Sequence, residues 1–276
     1  MYTLIESIDD LIYLNEELLQ KEYIGVDTEF RRTSKDNMRL ALLQVNDGDE
    51  IYLIDTLSIS DPEEFASFLY SDSVTKIYHS CKEDLEAVFS WTNKKMVNIF
   101  DTQLANAFLE DDYSISYQGL VEKKFGIQLE KNETRSNWIR RPLTEAQLKY
   151  ATLDVEYLID LYIHQKAQLI RTGKLEWLKE DIHRLIDITF SSHIASGEPS
   201  RIISKAKEND LMNDFNKIVK KIAKEQAINS TLFFSKKSQR EFLRLVFDKG
   251  FHFASSSMTK WRLNLLEDDL IELLKI

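Results

Sequence analysis

Tyr23-Ile24-Gly25-Val26-Asp27-Thr28-Glu29-Phe30-Arg31-Arg32 reads as a β-strand carrying two carboxylates in an otherwise apolar run. Side chains alternate across a strand, so Ile24, Val26, Thr28 and Phe30 share one face and Gly25, Asp27 and Glu29 the other. The two carboxylates then stand roughly 6–7 Å apart along the strand. Carboxylates in so apolar a run are costly unless something pairs with them. A divalent cation is the economical partner, because Mg²⁺ takes hard oxygen ligands and keeps company with phosphate. An exposed edge strand with solvated charges beside Arg31 and Arg32 is the plain alternative.

Around this strand the pattern is that of a mixed α/β domain. A short amphipathic helix is expected over 8–20. Further strands are expected at Arg39–Val45 and Glu50–Asp55, joined by the turn Asn46-Asp47-Gly48-Asp49. A helix over Glu63–Leu69, a strand at Thr75–Tyr78, a helix over Glu83–Phe89, a short strand at 97–100, and helices over Thr102–Phe108 and 116–124 follow. Thr144 and Gln147 make a capping box for one long helix with the stripe Leu148, Ala151, Val155, Leu158 and Tyr162, ended near Gly173. Ser196–Ser200 is the expected break in the second half, with helices throughout 208–276. The division expected is 1–170 as the α/β domain, 171–207 as a helical connection, and 208–276 as a small all-helical domain.

Two more segments offer acidic groups for the same place. His79-Ser80-Cys81-Lys82-Glu83-Asp84 follows a strand, where α/β domains present working side chains, and Asp84 falls in the first turn of the next helix. Helix capping is the competing role there. His79 is read as a hydrogen-bonding neighbour, since no second His or Cys stands at zinc spacing. In Tyr150-Ala151-Thr152-Leu153-Asp154, Tyr150 and Asp154 are four apart and share a helix face. Asp27, Glu29, Asp84 and Asp154 with the Tyr150 phenol then form a candidate two-metal site. Two ions about 4 Å apart clamp a phosphodiester, and the tyrosine orients the attacking water.

The net charge of −10 argues against bulk attraction to nucleic acid. The excess is confined to 1–204, with 22 Lys+Arg against 36 Asp+Glu, whereas 205–276 carries 14 against 10. Bound divalent ions invert the local field, so an acidic nuclease domain is admissible. One cysteine, Cys81, allows no internal disulfide and fits a reducing compartment. No apolar run reaches membrane-spanning length and the N-terminus lacks signal-peptide features, so a cytoplasmic protein is expected. The absence of a Gly-x-Gly-x-x-Gly turn after a strand argues against a dinucleotide-dependent dehydrogenase.

These segments resemble the three motifs of the ribonuclease D family, in the tyrosine-marked DEDDy branch of the DEDD 3′–5′ exonucleases. YIGVDTEFRR (23–32), HSCKEDLEAVF (79–89) and YATLDVEYLIDLY (150–162) are similar to the motifs in order. FDTQLA (100–105) and KNETRSNWIRRPLTEAQLKYA (131–151) resemble blocks particular to ribonuclease D and its near relatives. The resemblance implies a ribonuclease H-like fold, a mixed sheet flanked by helices whose first three strands are antiparallel. It implies catalytic roles for Asp27, Glu29, Asp84, Tyr150 and Asp154. Asp27, Glu29 and Asp154 would bind the water-activating ion, Asp27 bridging to a second ion that Asp84 supports through waters, with Mg²⁺ or Mn²⁺ as cofactors. Asn137 departs from the Asp that many members carry there. Segments AKEQAI (223–228), FSKKSQREFLRLV (234–246) and MTKWRLNLLEDDLIELL (258–274) resemble one HRDC helical domain.

The implied activity is 3′–5′ exoribonuclease, releasing nucleoside 5′-monophosphates from RNA 3′ ends, with tRNA precursors the expected substrates and a monomer the expected state. Phe30 and Trp138 are candidates for stacking on terminal bases, and Arg135, Arg140 and Arg141 for phosphate contacts. Arg31, Arg32, Lys35 and Arg39 form a second basic group, and Lys236, Lys237, Arg240 and Lys260 a third. A DNA repair or proofreading exonuclease and a non-catalytic nucleic-acid-binding module are the rival readings. The second fits poorly, because unmetallated carboxylates repel phosphate.

Overall fold

The strand 23–32 lies inside the sheet of a computed structural model, which describes residues 1–34, 37–110, 112–129, 136–191 and 204–275. The described chain divides into two units, Met1–Ala105 with Ile115–Gln168, and Asn106–Ser114 with Leu169–Ile276.

In the first unit, β1 (Thr3–Ile5) is followed by α1 (Ile8–Leu18), which Ser7 caps through the Asp10 amide. Then come β2 (Tyr23–Ser34), β3 (Asn37–Asn46), β4 (Ile51–Ile54), β5 (Thr75–Tyr78), α2 (Lys82–Thr92) and β6 (Ile99–Asp101). Helices α3 (Thr102–Leu109), α4 (Tyr117–Phe125), α5 (Glu145–Glu156) and α6 (Leu158–Arg171) complete the elements, α3 and α6 running on into the second unit. Among the described residues the strands form one sheet of order β1-β4-β3-β2-β5-β6. β2, β3 and β4 are antiparallel neighbours, while β5 pairs parallel with β2 and with β6. The antiparallel trio was expected; β1, parallel to β4 at the edge, was not, because three residues are too short to show alternation.

Near its start β2 is buried on both faces. Ile24 and Val26 are fully covered, and so is Gly25 opposite. A Cβ on Gly25 would meet Leu158 Cβ at 3.0 Å and the Val155 carbonyl at 3.3 Å, so only glycine lets the helices approach this close. The face of Gly25, Asp27 and Glu29 therefore lies under the junction of α5 and α6. Thr28, on the other face, hydrogen-bonds Asp84 of α2. Two helices thus bring acidic groups to one strand from opposite sides.

Two expected helices take another form. Glu63–Leu69 is a pair of short 3₁₀ turns, Pro62–Glu64 and Ser67–Leu69. With Phe68 and Leu69 fully buried, packing holds a segment too short to repay α-helix nucleation. The long helix after Thr144 has its capping box but breaks at Tyr157. There the Tyr117 hydroxyl accepts from Tyr157 N at 3.0 Å and donates to Leu153 O at 3.1 Å, inserting itself into the 157→153 backbone bond. Asn46 Nδ2 donates to the carbonyls of Val155 and Glu156 at 3.0 and 3.2 Å. Tertiary hydrogen bonds have replaced helical ones.

The second unit is helical: the latter part of α3, the end of α6, α7 (Leu175–Phe190), α8 (Lys205–Glu225), α9 (Ser230–Phe234), α10 (Lys236–Lys249), α11 (Phe251–Ser255) and α12 (Lys260–Leu274). Gly173, at φ +71°, ends α6 as expected. Phe215 packs edge-on against Phe234 and Phe242, at 5.3 and 5.9 Å. Helix α7, within the segment read as a connection, supplies Asp181, which pairs with the buried Arg262 of α12 and accepts from Trp261 Nε1 at 3.0 Å. Trp177 stacks on Trp261 at 4.8 Å. The expected break at Ser196–Ser200 lies outside the described residues. No described helix is long and apolar enough to cross a membrane.

Candidate active site

Asp27 and Glu29 project from β2 beneath α5, and Asp154 descends to them from the last turn of α5. All three are half-buried, and one carboxylate oxygen from each lies within 4.8 Å of the others. Nothing local brings Asp154 to the other two. Its place depends on Asn46 and Tyr117, which hold the carbonyls of Leu153, Val155 and Glu156 and so fix where the helix ends. The β2–β3 register shifts between Glu29 and Phe30, where β3 carries Ala41 as an extra residue, just past the second carboxylate. The Tyr150 hydroxyl, one turn before Asp154, donates a hydrogen bond to the Asp154 carboxylate. Tyr150 is itself packed against Trp138, ring centroids 6.1 Å apart, and shares a buried cluster with Leu42 and Leu53.

Asp84 stands slightly apart. It is buried in the first turn of α2 and takes the Thr28 hydroxyl. Its helix is aimed by Asp101, at the end of β6, whose carboxylate accepts the backbone amides of Ser80 and Cys81 at 3.1 and 2.9 Å. The same carboxylate caps α3 through Gln103 N and Leu104 N, at 2.9 and 3.0 Å. Ser80 adopts φ +67° at this turn. His79 binds Thr102 Oγ1 at 2.9 Å and donates from Nε2 to the Ile115 carbonyl at 3.0 Å, so both ring nitrogens are engaged away from the carboxylates.

Burial, then Asp154, Asp84 and Glu29 in turn, push the Asp27 carboxyl well above the usual carboxylate range. Burial, then Asp154 and Asp84, raise Glu29 to about 9. Burial raises Asp84 to about 7 against the opposing Thr28 hydrogen bond, and raises Asp154 to about 7 against that of Tyr150. Among the described residues no lysine or arginine forms an ion pair with any of the four. Like charges gathered without a counter-charge hold protons unless a cation takes their place. A set of hard oxygen donors with that deficit fits a divalent ion such as Mg²⁺ or Mn²⁺.

The substrate candidates fare differently. Arg141 spends all five guanidinium N–H groups inside the protein. It reaches Asp55 at 2.5 and 2.7 Å, and the carbonyls of Ala41, Trp138 and Arg140 at 2.7, 2.7 and 3.1 Å. It anchors the loop before α5 in place of the expected phosphate contact, and one of its acceptors is Ala41, the extra β3 residue at the bulge. Trp138, read as a base-stacking side chain, is buried at 4% exposure beneath Tyr150 and supports that residue instead. Phe30 is half-buried and Arg140 exposed. Arg135 and Lys35 lie outside the described residues. Arg32 pairs with Glu86 at 2.8 Å, and Arg31 and Arg39 are exposed. The sequence reading missed Thr28, Asn46, Asp101 and Tyr117. Asp101 lay in a noted block, and Asn46 was read only as a turn residue.

A family model described as 3′–5′ exonuclease matches residues 2–169. Ribonuclease D of Pseudomonas paraeruginosa is 42% identical over 164 residues, 59% of this chain and 43% of that protein. Ribonuclease D of Escherichia coli is 33% identical over 207 residues, 74% of this chain and 54% of that protein. The chain thus spans about half the length of these curated relatives. The crystal structure of E. coli ribonuclease D, an exoribonuclease involved in structured RNA processing, superposes with TM-score 0.67 at 24% identity, covering 100% of this chain and 74% of that one. The catalytic core of RRP6 from Trypanosoma brucei gives 0.62 at 17% in each of two structures, covering 97–100% of this chain and 79–80% of that one. At these identities the structural likeness establishes the fold, a ribonuclease H-like mixed sheet with helices on it and an all-helical region after it.

Proposed function

Because this chain belongs to the 3′–5′ exonuclease family, and within it to the ribonuclease D type, we propose that it hydrolyses RNA from the 3′ end, releasing nucleoside 5′-monophosphates. The observation that carries the proposal is the meeting of Asp27, Glu29 and Asp154 within 4.8 Å, with Tyr150 bonded to Asp154. These three carboxylates would hold one divalent ion, Mg²⁺ or Mn²⁺. Asp27 would be shared with a second, supported by Asp84 from the Thr28 side. Bound ions of this kind polarise the phosphodiester and lower the pKa of water.

The chain's own groups do the rest. Tyr150 Oη, held by Asp154 and by the packing of Trp138, is the group that orients the attacking water. The phenol is too weak a base to act alone. Thr28 keeps Asp84 ionisable by donating to it, and Asp101 fixes the turn from which Asp84 projects. Phe30, just past Glu29 on β2, would meet the terminal base, and the exposed Arg140, with Arg135, the entering backbone. We assign 1–170 to catalysis, 171–207 to the connection, and 208–276 to an HRDC-like domain whose exposed Lys236, Lys237 and Lys260 would touch RNA. The names of its relatives favour RNA over DNA, and structured RNAs such as tRNA precursors as substrates. We take the active form as a cytoplasmic monomer, in keeping with the free, buried Cys81.

Matched 3′-labelled RNA and DNA, with Mg²⁺ or Mn²⁺ and with chelator, test this. The parent is expected to shed labelled mononucleotides from RNA faster than from DNA. Chelation or Asp27→Asn should bring the rate to background. A parent-like rate for Asp27→Asn, or cuts within a circular RNA, would overturn the assignment.

A further inference from the structure

Gln44 has no exposed surface, and neither its amide nitrogen nor its amide oxygen has a hydrogen-bond partner among the described residues. A buried amide left wholly unpaired is expensive, and native proteins keep few of them. Its position explains why one stands here. Gln44 is the register partner of Asp27 in the β2–β3 ladder, as Asn46 is of Gly25 and Leu42 of Glu29. Register partners on antiparallel strands project to the same face, with Cβ atoms about 4.5–5.5 Å apart. Leu42, Gln44 and Asn46 therefore lie in a row along the carboxylate-bearing face. Leu42 packs in the cluster with Tyr150. Asn46 holds the end of α5. Gln44, between them and beside Asp27, alone of the three lacks an evident task.

We infer that Gln44 is a positioning residue for Asp27, its amide N–H donating to the Asp27 carboxylate when the site is loaded. The inference rests on the reading of Asp27 as a metal ligand. Carboxylates that ligate metals are themselves held by hydrogen bonds, which set their orientation. A bound cation would fix the Asp27 carboxylate beside this unpaired amide. Ionised Asp27 accepts only, and a side-chain amide supplies two donors.

Gln44→Met keeps the length of the side chain and removes both polar atoms. A merely structural Gln44 predicts a variant that is as stable or more stable, with unchanged metal affinity. The positioning role predicts a melting temperature in EDTA at or above that of the parent, and Mn²⁺ affinity by calorimetry weaker by about 10-fold or more. In the parent, the ¹⁵N-labelled Gln44 side-chain amide should shift on saturation with Mg²⁺, and should stay put in Asp27→Asn. Parent-like Mn²⁺ affinity in Gln44→Met, or a Gln44 amide resonance unmoved by Mg²⁺ in the parent, overturns the inference. If Gln44→Met does not fold, the resonance decides. Asp27→Asn separates the two readings. If it binds Mn²⁺ as the parent does, the metal site itself is misassigned and the inference falls with it. If it loses binding while Gln44→Met keeps it, only the role of Gln44 is wrong.

Discussion

Replacing Glu29 by glutamine should stabilise the metal-free protein at neutral pH while removing its ability to gain from metal. In the unfolded chain the carboxyl ionises near its usual 4.5; in the fold, burial, then Asp154 and Asp84, raise it to about 9. Between those values the folded protein keeps a proton that the unfolded chain sheds, so stability falls as pH rises. At pH 7 the carboxyl is held protonated some 2.5 pH units above its free value, at a cost of about 3 kcal/mol. At pH 5 the same reckoning leaves under about 1 kcal/mol. Glutamine carries no such cost. In EDTA, Glu29→Gln should therefore melt about 6–12 °C above the parent at pH 7, with little difference at pH 5. Saturating Mg²⁺, which binds only the folded chain, should raise the parent but barely move the variant. Thermal melts and urea titrations at both pH values, with and without Mg²⁺, make the comparison. A variant no more stable than the parent in EDTA at pH 7, or equally favoured at pH 5, would refute the reasoning.

Tyr150→Phe should slow hydrolysis by roughly 100-fold, the low end of what a proton-handling group supplies, and less than Asp27→Asn does. Single-turnover rates on labelled RNA compare them, and an equal or larger loss would give the phenol a greater share of the chemistry. Arg141→Ala leaves Asp55, with 3% of its side chain exposed, without its cation, and should cost about 3–5 kcal/mol by urea unfolding. The Arg141 hydrogen bonds help hold Asp55 below the usual range, so this loss should shrink as pH falls and Asp55 protonates; a loss below about 1 kcal/mol at pH 7 would mean that Arg141 is free for other work. Asp101→Ala strips the acceptor from the amides of Ser80, Cys81, Gln103 and Leu104, and should cost at least about 2 kcal/mol and lower activity through Asp84. Parent-like stability and rate would show that the turn before α2 holds itself.

The sheet's inner strands, the capping box at Thr144 and Gln147, and the helical second half were legible along the chain, because alternation, helical periodicity and capping are local rules. The candidate acidic residues were legible for a different reason. Asp27 and Glu29 share a face by strand geometry, and Tyr150 and Asp154 by helix geometry. What those rules leave open is which pair meets which, since Glu29 and Asp154 are far apart in the chain and no local interaction joins them. The tertiary structure decided it. Asn46 and Tyr117 break the helix at Tyr157 and set Asp154 over β2, and Asp101 turns α2 so that Asp84 meets Thr28. It also decided the fates of Arg141 and Trp138, a cation and an aromatic that are equally plausible on a surface. A buried Asp55 claims the one and the underside of Tyr150 the other. Charge and shape along the chain name the groups able to bind phosphate or base. Only burial shows which of them have already spent that capacity within the protein.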